Sequence, residues 1–501
     1  MARTDQYLTP ESIKPAGARR PDLVWVRYIF LRALALIYLA AFWSLHSQIL
    51  GLAGSDGIVP AADFMSQVRG YADQQQWSLS RYLVELTLCW ISATDGFLRG
   101  LCIGGILTSL LLLFGIASPL CLAILWLLYL SLTNVCGVFL QFQWDNLLLE
   151  TGLLAIFLGP FNLFSRPAKE RNPSPIIVWL MLWLLFRLMF QSGCVKLLSG
   201  DALWRNLTAL SVHYETQPLP TWIGWYAHQL PIWARKGSCV LMFFIELVVP
   251  FLIFTPRRIR VWAFAPLAGM QLLIVLTGNY CFFNWLTIAL CVFLLDDQLL
   301  RRPTTTAPPL PPRLQLARKI GFGILAAIIG LLTLIPFVSM FGFRPWPKPL
   351  VAMYRAAAPF RSVNGYGLFA VMTPSRPEIF VEGSNDGQKW IAYTFKYKPN
   401  EPGERPRFVA PHQPRLDWQM WFTALGDYRG NPWFVNFCIR LLQGKPEVLA
   451  LLEKNPFPNG PPKYIRAIVY DYRFTNLGSR DWWRREFKGE YLPPISLKPA
   501  A

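Results

Sequence analysis

The sequence predicts a multi-pass α-helical membrane protein of about nine transmembrane helices, followed by a C-terminal mixed α+β, β-rich soluble domain on the outer (periplasmic or lumenal) face. Three observations carry that expectation. Of 501 residues, 53% are hydrophobic and 15% charged, and 21 are Trp, where an ordinary soluble domain has roughly a quarter of its residues charged. Apolar runs of about 18 residues or more recur through the first two thirds of the chain. Beyond residue 342 the texture changes to short period-two stretches bounded by turn residues. A disordered chain and a purely cytosolic enzyme are excluded, and the lipid bilayer is the first expected partner.

The expected division is a cytoplasmic tail 1–22, a transmembrane domain 23–342 with outer loops 47–98 and 196–237, and a periplasmic or lumenal α+β domain 343–501. The tail is polar, and the apolar run after it is too long for the core of a secretory signal, so it reads as an uncleaved first helix. Spans are expected near 24–46, 99–117, 119–140, 146–164, 176–195, 238–255, 261–278, 280–295 and 320–342. The interrupted stretch 82–98 reads as an interfacial or re-entrant helix. Residues 303–312, rich in Pro and Thr, read as a short stiff linker.

Basic residues set the expected orientation. Arg3, Lys14, Arg19 and Arg20, then connections 165–175, 256–260 and 296–319, all fall on one side if there are nine spans. The positive-inside rule makes that side the cytoplasm and puts the C-terminus outside. The net charge of +19 is therefore a topology signal, with acids interleaved and no long basic stripe. Nucleic acid is not an expected partner.

In the last third, strands are expected at Leu368–Met372, Glu378–Val381, Trp390–Tyr397 and Tyr464–Phe474, with a hairpin turn at Ser384-Asn385-Asp386-Gly387. Arg415–Leu425, Pro432–Leu442 and Pro446–Glu453 show helical spacing.

Ionisable residues inside apolar runs are costly and so become candidates for function. Asp145 and Glu150 open the fourth span, about 140° apart around the helix. Arg187 lies in the fifth span, with Gln191 one turn on and Lys196 near its outer end, and Glu246 lies in the sixth. One reading has Glu150 or Glu246 pair with Arg187 to set helix packing; the other is a catalytic or transport role. On the outer loop, His213 and Glu215 with Lys196 form a candidate general acid/base set, against the plainer reading of a hydrogen-bonded polar loop. A last cluster, His412, Arg415, Asp417, Trp418 and Trp421, reads as an aromatic helix face, either packed in a core or free to bind an apolar client.

No metal site and no cofactor are expected. The four His show no i,i+4 pair, no phosphate-cradling glycine loop occurs, and the 9 Cys sit mostly in apolar runs without C-x-x-C. Asn206-Leu207-Thr208 is a glycosylation sequon, usable only in a eukaryote.

Several blocks resemble the lipase maturation factor family. They are Gln143-Trp144-Asp145 through Glu150-Thr151-Gly152, Ser199-Gly200-Asp201 through His213-Tyr214-Glu215-Thr216-Gln217-Pro218-Leu219-Pro220, Ala410 through Gln419, and Asn455-Pro456-Phe457-Pro458. The resemblance implies a multi-pass membrane protein that helps secreted lipases fold and assemble into active homodimers. Its vertebrate clients are lipoprotein, hepatic and endothelial-type lipases in the endoplasmic reticulum, bound through a region that corresponds here to residues from about 344. The short N-terminal segment, and an end soon after Tyr491-Leu492-Pro493-Pro494, suggest a bacterial member, placed in the inner membrane, where those clients are absent. The membrane half is also distantly similar to vitamin K-dependent gamma-carboxylase. That similarity implies the alternative of a membrane enzyme acting on a lipidic or peptide substrate at the outer interface.

Overall fold

The computed structural model describes residues 22–302, 307–308 and 310–497. The tail before residue 22, with its basic residues, and residues 303–306 and 309 of the expected 303–312 linker lie outside the described residues.

Among the described residues, seven helices are long and apolar enough to cross a membrane: α1 Val24–His46, α2 Asp95–Leu113, α3 Ser118–Val135, α5 Pro175–Leu198, α6 Ile232–Phe254, α7 Arg257–Thr277 and α9 Pro312–Ser339. The other two expected spans are present as shorter helices, α4 Gln143–Leu158 and α8 Phe283–Leu294. At 1.5 Å per residue these reach about 24 and 18 Å, short of the roughly 30 Å hydrocarbon core. Both are walled in by other helices, with Leu147, Leu148, Leu286 and Leu290 fully buried. Hydropathy does not distinguish burial against protein from contact with lipid, so nine apolar runs yield seven helices of spanning length.

All nine run alternately between two ends of the bundle. At one end the Asp297 carboxylate accepts the N–H groups of Val24 at 2.9 Å, Trp25 at 3.0 Å and Val26 at 3.1 Å, filling the open donors at the start of α1. Arg27 pairs with Glu170 at 2.7 Å, Arg257 pairs with Asp296, and Arg171 donates to the Pro308 carbonyl. The basic connections 165–175, 256–260 and 296–302 thus gather at this end. Small residues allow close helix packing: a Cβ on Gly105 would lie 2.3 Å from the Phe42 ring, so α1 and α2 meet where only glycine fits.

Residues 82–98 are a departure from expectation. The chain makes one helical turn at Arg81–Val84 and a tight turn at Leu88–Trp90 before α2. Hydroxyls compete with the helix here: Thr87 Oγ1 accepts the Cys89 N–H and Ser131 Oγ accepts that of Leu88.

The opposite end carries the C-terminal region. Its main sheet is antiparallel, in the order β2 (Ile391–Ala392), β1 (Arg376–Ser384), β5 (Tyr464–Phe474), β6 (Trp483–Ile495). A second pair joins β3 (Thr394–Phe395) to β4 (Leu452–Lys454). The β1–β2 turn falls at the expected Ser384–Gly387. Asp386 Oδ1 accepts the N–H groups of Gln388 and Lys389, Gly387 takes φ +74°, and those bonds hold the Asp386 carboxyl down at about 2.

Three expectations here need correction. Leu368–Met372 is not a strand: the Phe369 carbonyl accepts from Trp204 Nε1, and the Met372 N–H donates to Asp201, so the segment is tied to the loop after α5. Pro446–Glu453 splits into a turn of helix and β4, and Trp390–Tyr397 splits into β2 and β3. The sequence reading also lacked β6, whose Arg484, Arg485, Glu486, Lys488 and Glu490 obscure the apolar alternation. Such charges are what an edge strand carries.

Helices α10 (Arg415–Ala424) and α11 (Pro432–Leu442) continue the core of the bundle, so that Leu416, Trp418 and Phe434 belong to one hydrophobic cluster with residues of α1 to α5. The junction is polar as well. Arg415 makes a two-pronged contact with Asp145, at 2.9 and 3.1 Å, and reaches Tyr129 Oη at 3.2 Å. Both partners of the pair are fully buried. Asp145→Asn would strand that guanidinium and is expected to cost about 3–5 kcal/mol, most of which Asp145→Leu with Arg415→Met recovers. Thermal unfolding in detergent, followed by Trp fluorescence, measures both. Equal losses in the single and double variants would show that the pair is not the source.

Candidate functional site

The intramembrane charges come in pairs. Glu150 on α4 pairs with Arg187 on α5, both about 1% exposed, and the cluster is closed by the segment just before the sheet. Tyr366 Oη and Asn364 Nδ2 donate to Glu150 Oε2 at 2.7 and 3.2 Å, Arg187 donates to the Asn364 carbonyl, and Gln191 accepts the Tyr366 N–H. Five residues beyond Gln191, Lys196 Nζ lies 2.8 Å from both carboxylate oxygens of Glu246 on α6 and 3.0 Å from the Ser192 carbonyl. Of the two partners open to Arg187, Glu150 is the one it meets. Glu246 belongs to Lys196.

The three acid/base candidates are neighbours without a common focus. Lys196 is occupied by Glu246. Glu215 accepts from Arg473 at 3.1 Å and from the Phe474 N–H at 2.9 Å, at the end of β5. His213 Nε2 lies 3.2 Å from Tyr280 Oη, which donates onward to Gln217 at 2.9 Å. Burial, with Lys196 nearby, pushes His213 down to about 4, so the imidazole is neutral at physiological pH. Among the described residues no group of three His, Cys, Asp or Glu is placed to hold a metal ion. The nine cysteines are all buried thiols.

The His412–Trp421 cluster faces inward. His412 Nδ1 lies 2.9 Å from Ser44 Oγ at the end of α1, and burial, with Arg415 and Lys396 nearby, holds this imidazole at about 4. Asp417 Oδ1 accepts the N–H groups of Tyr397 and Lys398, both at 2.9 Å. Trp418 sits edge-on to Trp144, with ring centres 4.7 Å apart, and also meets Phe142 and Tyr280. Trp421 Nε1 donates to the Thr216 carbonyl. His213–Glu215 and His412–Trp421 thus share one interface, linked through Tyr280 and Thr216. Within this aromatic face only Phe422 is exposed.

Two contributors escaped the sequence reading. Arg376, fully buried at the start of β1, donates to the carbonyls of Glu215, Gln217 and Pro218 and pairs with Glu378 at 2.7 Å. Nothing in its local pattern marks it. Asn279, between α7 and α8, bonds the Leu219 and Arg407 carbonyls and the Val409 and Ala410 N–H groups. Its signal was present: a polar residue in a short break between two apolar runs must be solvated or must tie down backbone.

Comparison with known proteins places this interface. Residues 25–302 match the family model described as the lipase maturation factor transmembrane domain, and residues 362–493 match the lipase maturation factor C-terminal domain. The chain belongs to the lipase maturation factor family. It is 38% identical to lipase maturation factor 2 of Gallus gallus, covering 96% of this chain and 82% of that one. It is 36% identical to the Homo sapiens protein of the same name, covering 96% and 83%, and 33% identical to lipase maturation factor 1 of Bos taurus, covering 96% and 91%. No solved structure matches. These relatives are vertebrate proteins, and the expectation of a bacterial member is not borne out by them. None is named as an enzyme. Within the family frame, Asp145 lies in the first matched domain and Arg415 in the second, so their ion pair joins the two.

Asp417 supplies a pH test of this junction. Burial raises its carboxyl to about 6 against the pull of its two backbone donors. Between about pH 4 and 6 the folded protein keeps a proton that the unfolded chain releases, so the contribution of Asp417 to stability falls as pH rises through that window. Asp417→Asn retains an oxygen acceptor and does not titrate. It is expected to gain on the wild type by on the order of 2–3 kcal/mol between pH 4 and pH 7. Unfolding curves of the two proteins that stay parallel across this range would refute the assignment.

Proposed function

We propose that this protein is a membrane-embedded maturation factor that brings secreted lipases to their active form, with its C-terminal region on the lumenal or periplasmic side. The observation that carries the reading is the match to lipase maturation factors along nearly the whole chain, including both family domains. The orientation is supported by the gathering of the basic connections at the end opposite the sheet, which the positive-inside rule puts in the cytoplasm. In this reading Asp145, Glu150, Arg187, Arg415, Asp417 and Trp418 act by holding the C-terminal region rigidly on the bundle, and a lipase client meets the exposed surface of that region. His213, Glu215 and Lys196 serve the same scaffold. Against the competing enzymatic reading, two members of its expected acid/base set are held in ion pairs, Lys196 by Glu246 and Glu215 by Arg473.

Two measurements test the proposal. In cells lacking their own lipase maturation factors, co-expression of the protein is expected to restore secretion of active lipase, assayed as hydrolytic activity and as the dimer fraction of the secreted enzyme. Normal membrane levels of the protein with only inactive lipase released would sink the functional half. In sealed microsomes, protease is expected to remove an N-terminal tag and spare a C-terminal one; the reverse pattern would invert the orientation.

A further inference from the structure

Between α5, α6, α7 and α8, beneath the short helix Leu210–Thr216, lies a cavity of about 450 Å³. That volume falls within the roughly 300–1,000 Å³ of sites that take a drug-sized ligand. Its deeper walls are mostly apolar, with Leu188, Met189 and Met270 among them, and carry one polar pair in which Asn284 donates to Gln271 beside Met189. Its ion pair, Lys196 with Glu246, and two further polar groups, His213 and Tyr280, lie at the end nearest the C-terminal region, with Lys196 about 12 Å along α5 from Leu188.

The mouth can be placed from exposure. Of the lining residues, Leu241 on α6 and Leu273 on α7 are 55% and 60% exposed. They sit on helices whose outer faces are among the least enclosed of the bundle. The cavity therefore opens sideways between α6 and α7, where an apolar chain enters directly from the bilayer.

The polar end restricts the head group. The Lys196 ammonium is matched by both Glu246 oxygens, so the wall has no net charge to offer, and a phosphate brought here would lose its hydration without a counterion. At this end Nδ1 of His213 is a buried atom with no hydrogen-bond partner, and deeper in the cavity Oδ1 of Asn284 is another. With Tyr280 donating to Gln217, His213 Nε2 carries the proton toward Tyr280 and Nδ1 is left as an acceptor. A hydroxyl donor is the complement of such groups.

We propose that this cavity is a binding site for an uncharged, hydroxyl-bearing membrane lipid of the acylglycerol type, with its chain entering between α6 and α7 and its head at the Lys196–His213 end. The site depends neither on the identity of the client nor on the orientation in the membrane.

Photocrosslinking tests it. The full-length protein is placed in phosphatidylcholine nanodiscs with a trace of a diazirine-bearing monoacylglycerol, or of a phosphatidic acid carrying the same chain, and the labelled peptides are identified by mass spectrometry. The monoacylglycerol is expected to label lining peptides of α5 to α8 about tenfold more than the phosphatidic acid. Excess unlabelled monoacylglycerol removes that label, and excess phosphatidic acid does not. Leu241→Trp with Leu273→Trp, both at exposed positions, is expected to cut labelling of the lining by about fivefold or more while leaving label on the lipid-facing α9. Equal labelling by the two probes, label confined to α9, or label that resists competition by monoacylglycerol would each overturn the site. The competition uses the unaltered protein, so it stands even if the double Trp variant fails to fold.

Discussion

One buried ion pair holds the two halves of this protein in a single arrangement. Asp145 at the start of α4 and Arg415 at the start of α10 are 270 residues apart in sequence and meet without access to water. Burial alone disfavours the guanidinium charge, and Asp145, with Tyr129 and Cys281 beside it, more than offsets that penalty, holding the pKa of Arg415 above its ordinary value. An isolated charge in either half would be costly to bury, so each half completes the other. Around this pair, Ser44 and Gln48 on or beside α1 bond the chain from His412 to Arg415, and Asn279 bonds residues 407–410. The C-terminal region is built into the end of the bundle, and the aromatic cluster of Trp144, Phe142 and Trp418 seals the seam.

The same economy governs the other charges in the helices. Glu150 and Arg187, then Lys196 and Glu246, are neutralised in pairs with further hydrogen bonds to Tyr366, Asn364 and Ser192. Where bilayer and protein interior both penalise charge, pairing is the condition for keeping such residues at all. The pairs specify which helix faces which: α4 against α5, and α5 against α6. The cavity wall inherits a neutral polar end from the second pair, and the selectivity proposed for it follows from that neutrality.

A maturation factor must present a steady surface to clients that are not yet folded. The interlocked junction suits that demand, because motion of the sheet relative to the bundle would break buried ionic contacts. The long edge strand β6 leaves Phe487 exposed among its charges, and Phe422 is exposed on α10.

Much of this was legible in the residues themselves. Apolar runs marked all nine helices, the change of texture after residue 342 marked the mixed region, and β5 and α11 fell within their expected bounds, because periodicity over ten or more residues is a strong local signal. The candidates Asp145, Glu150, Arg187, Lys196 and Glu246 were visible because charge inside an apolar run is costly wherever the chain goes. What the residues alone did not decide was partnership: that Arg187 takes Glu150, that Lys196 takes Glu246, that Arg415 reaches Asp145, and that Arg376 gathers three carbonyls of a loop about 160 residues earlier. Nor did they separate α4 and α8, shielded by neighbouring helices, from the helices that meet lipid. Local composition sets what each segment can afford to bury. Which segments bury it together depends on contacts between residues far apart in sequence, and those exist only once the chain has folded.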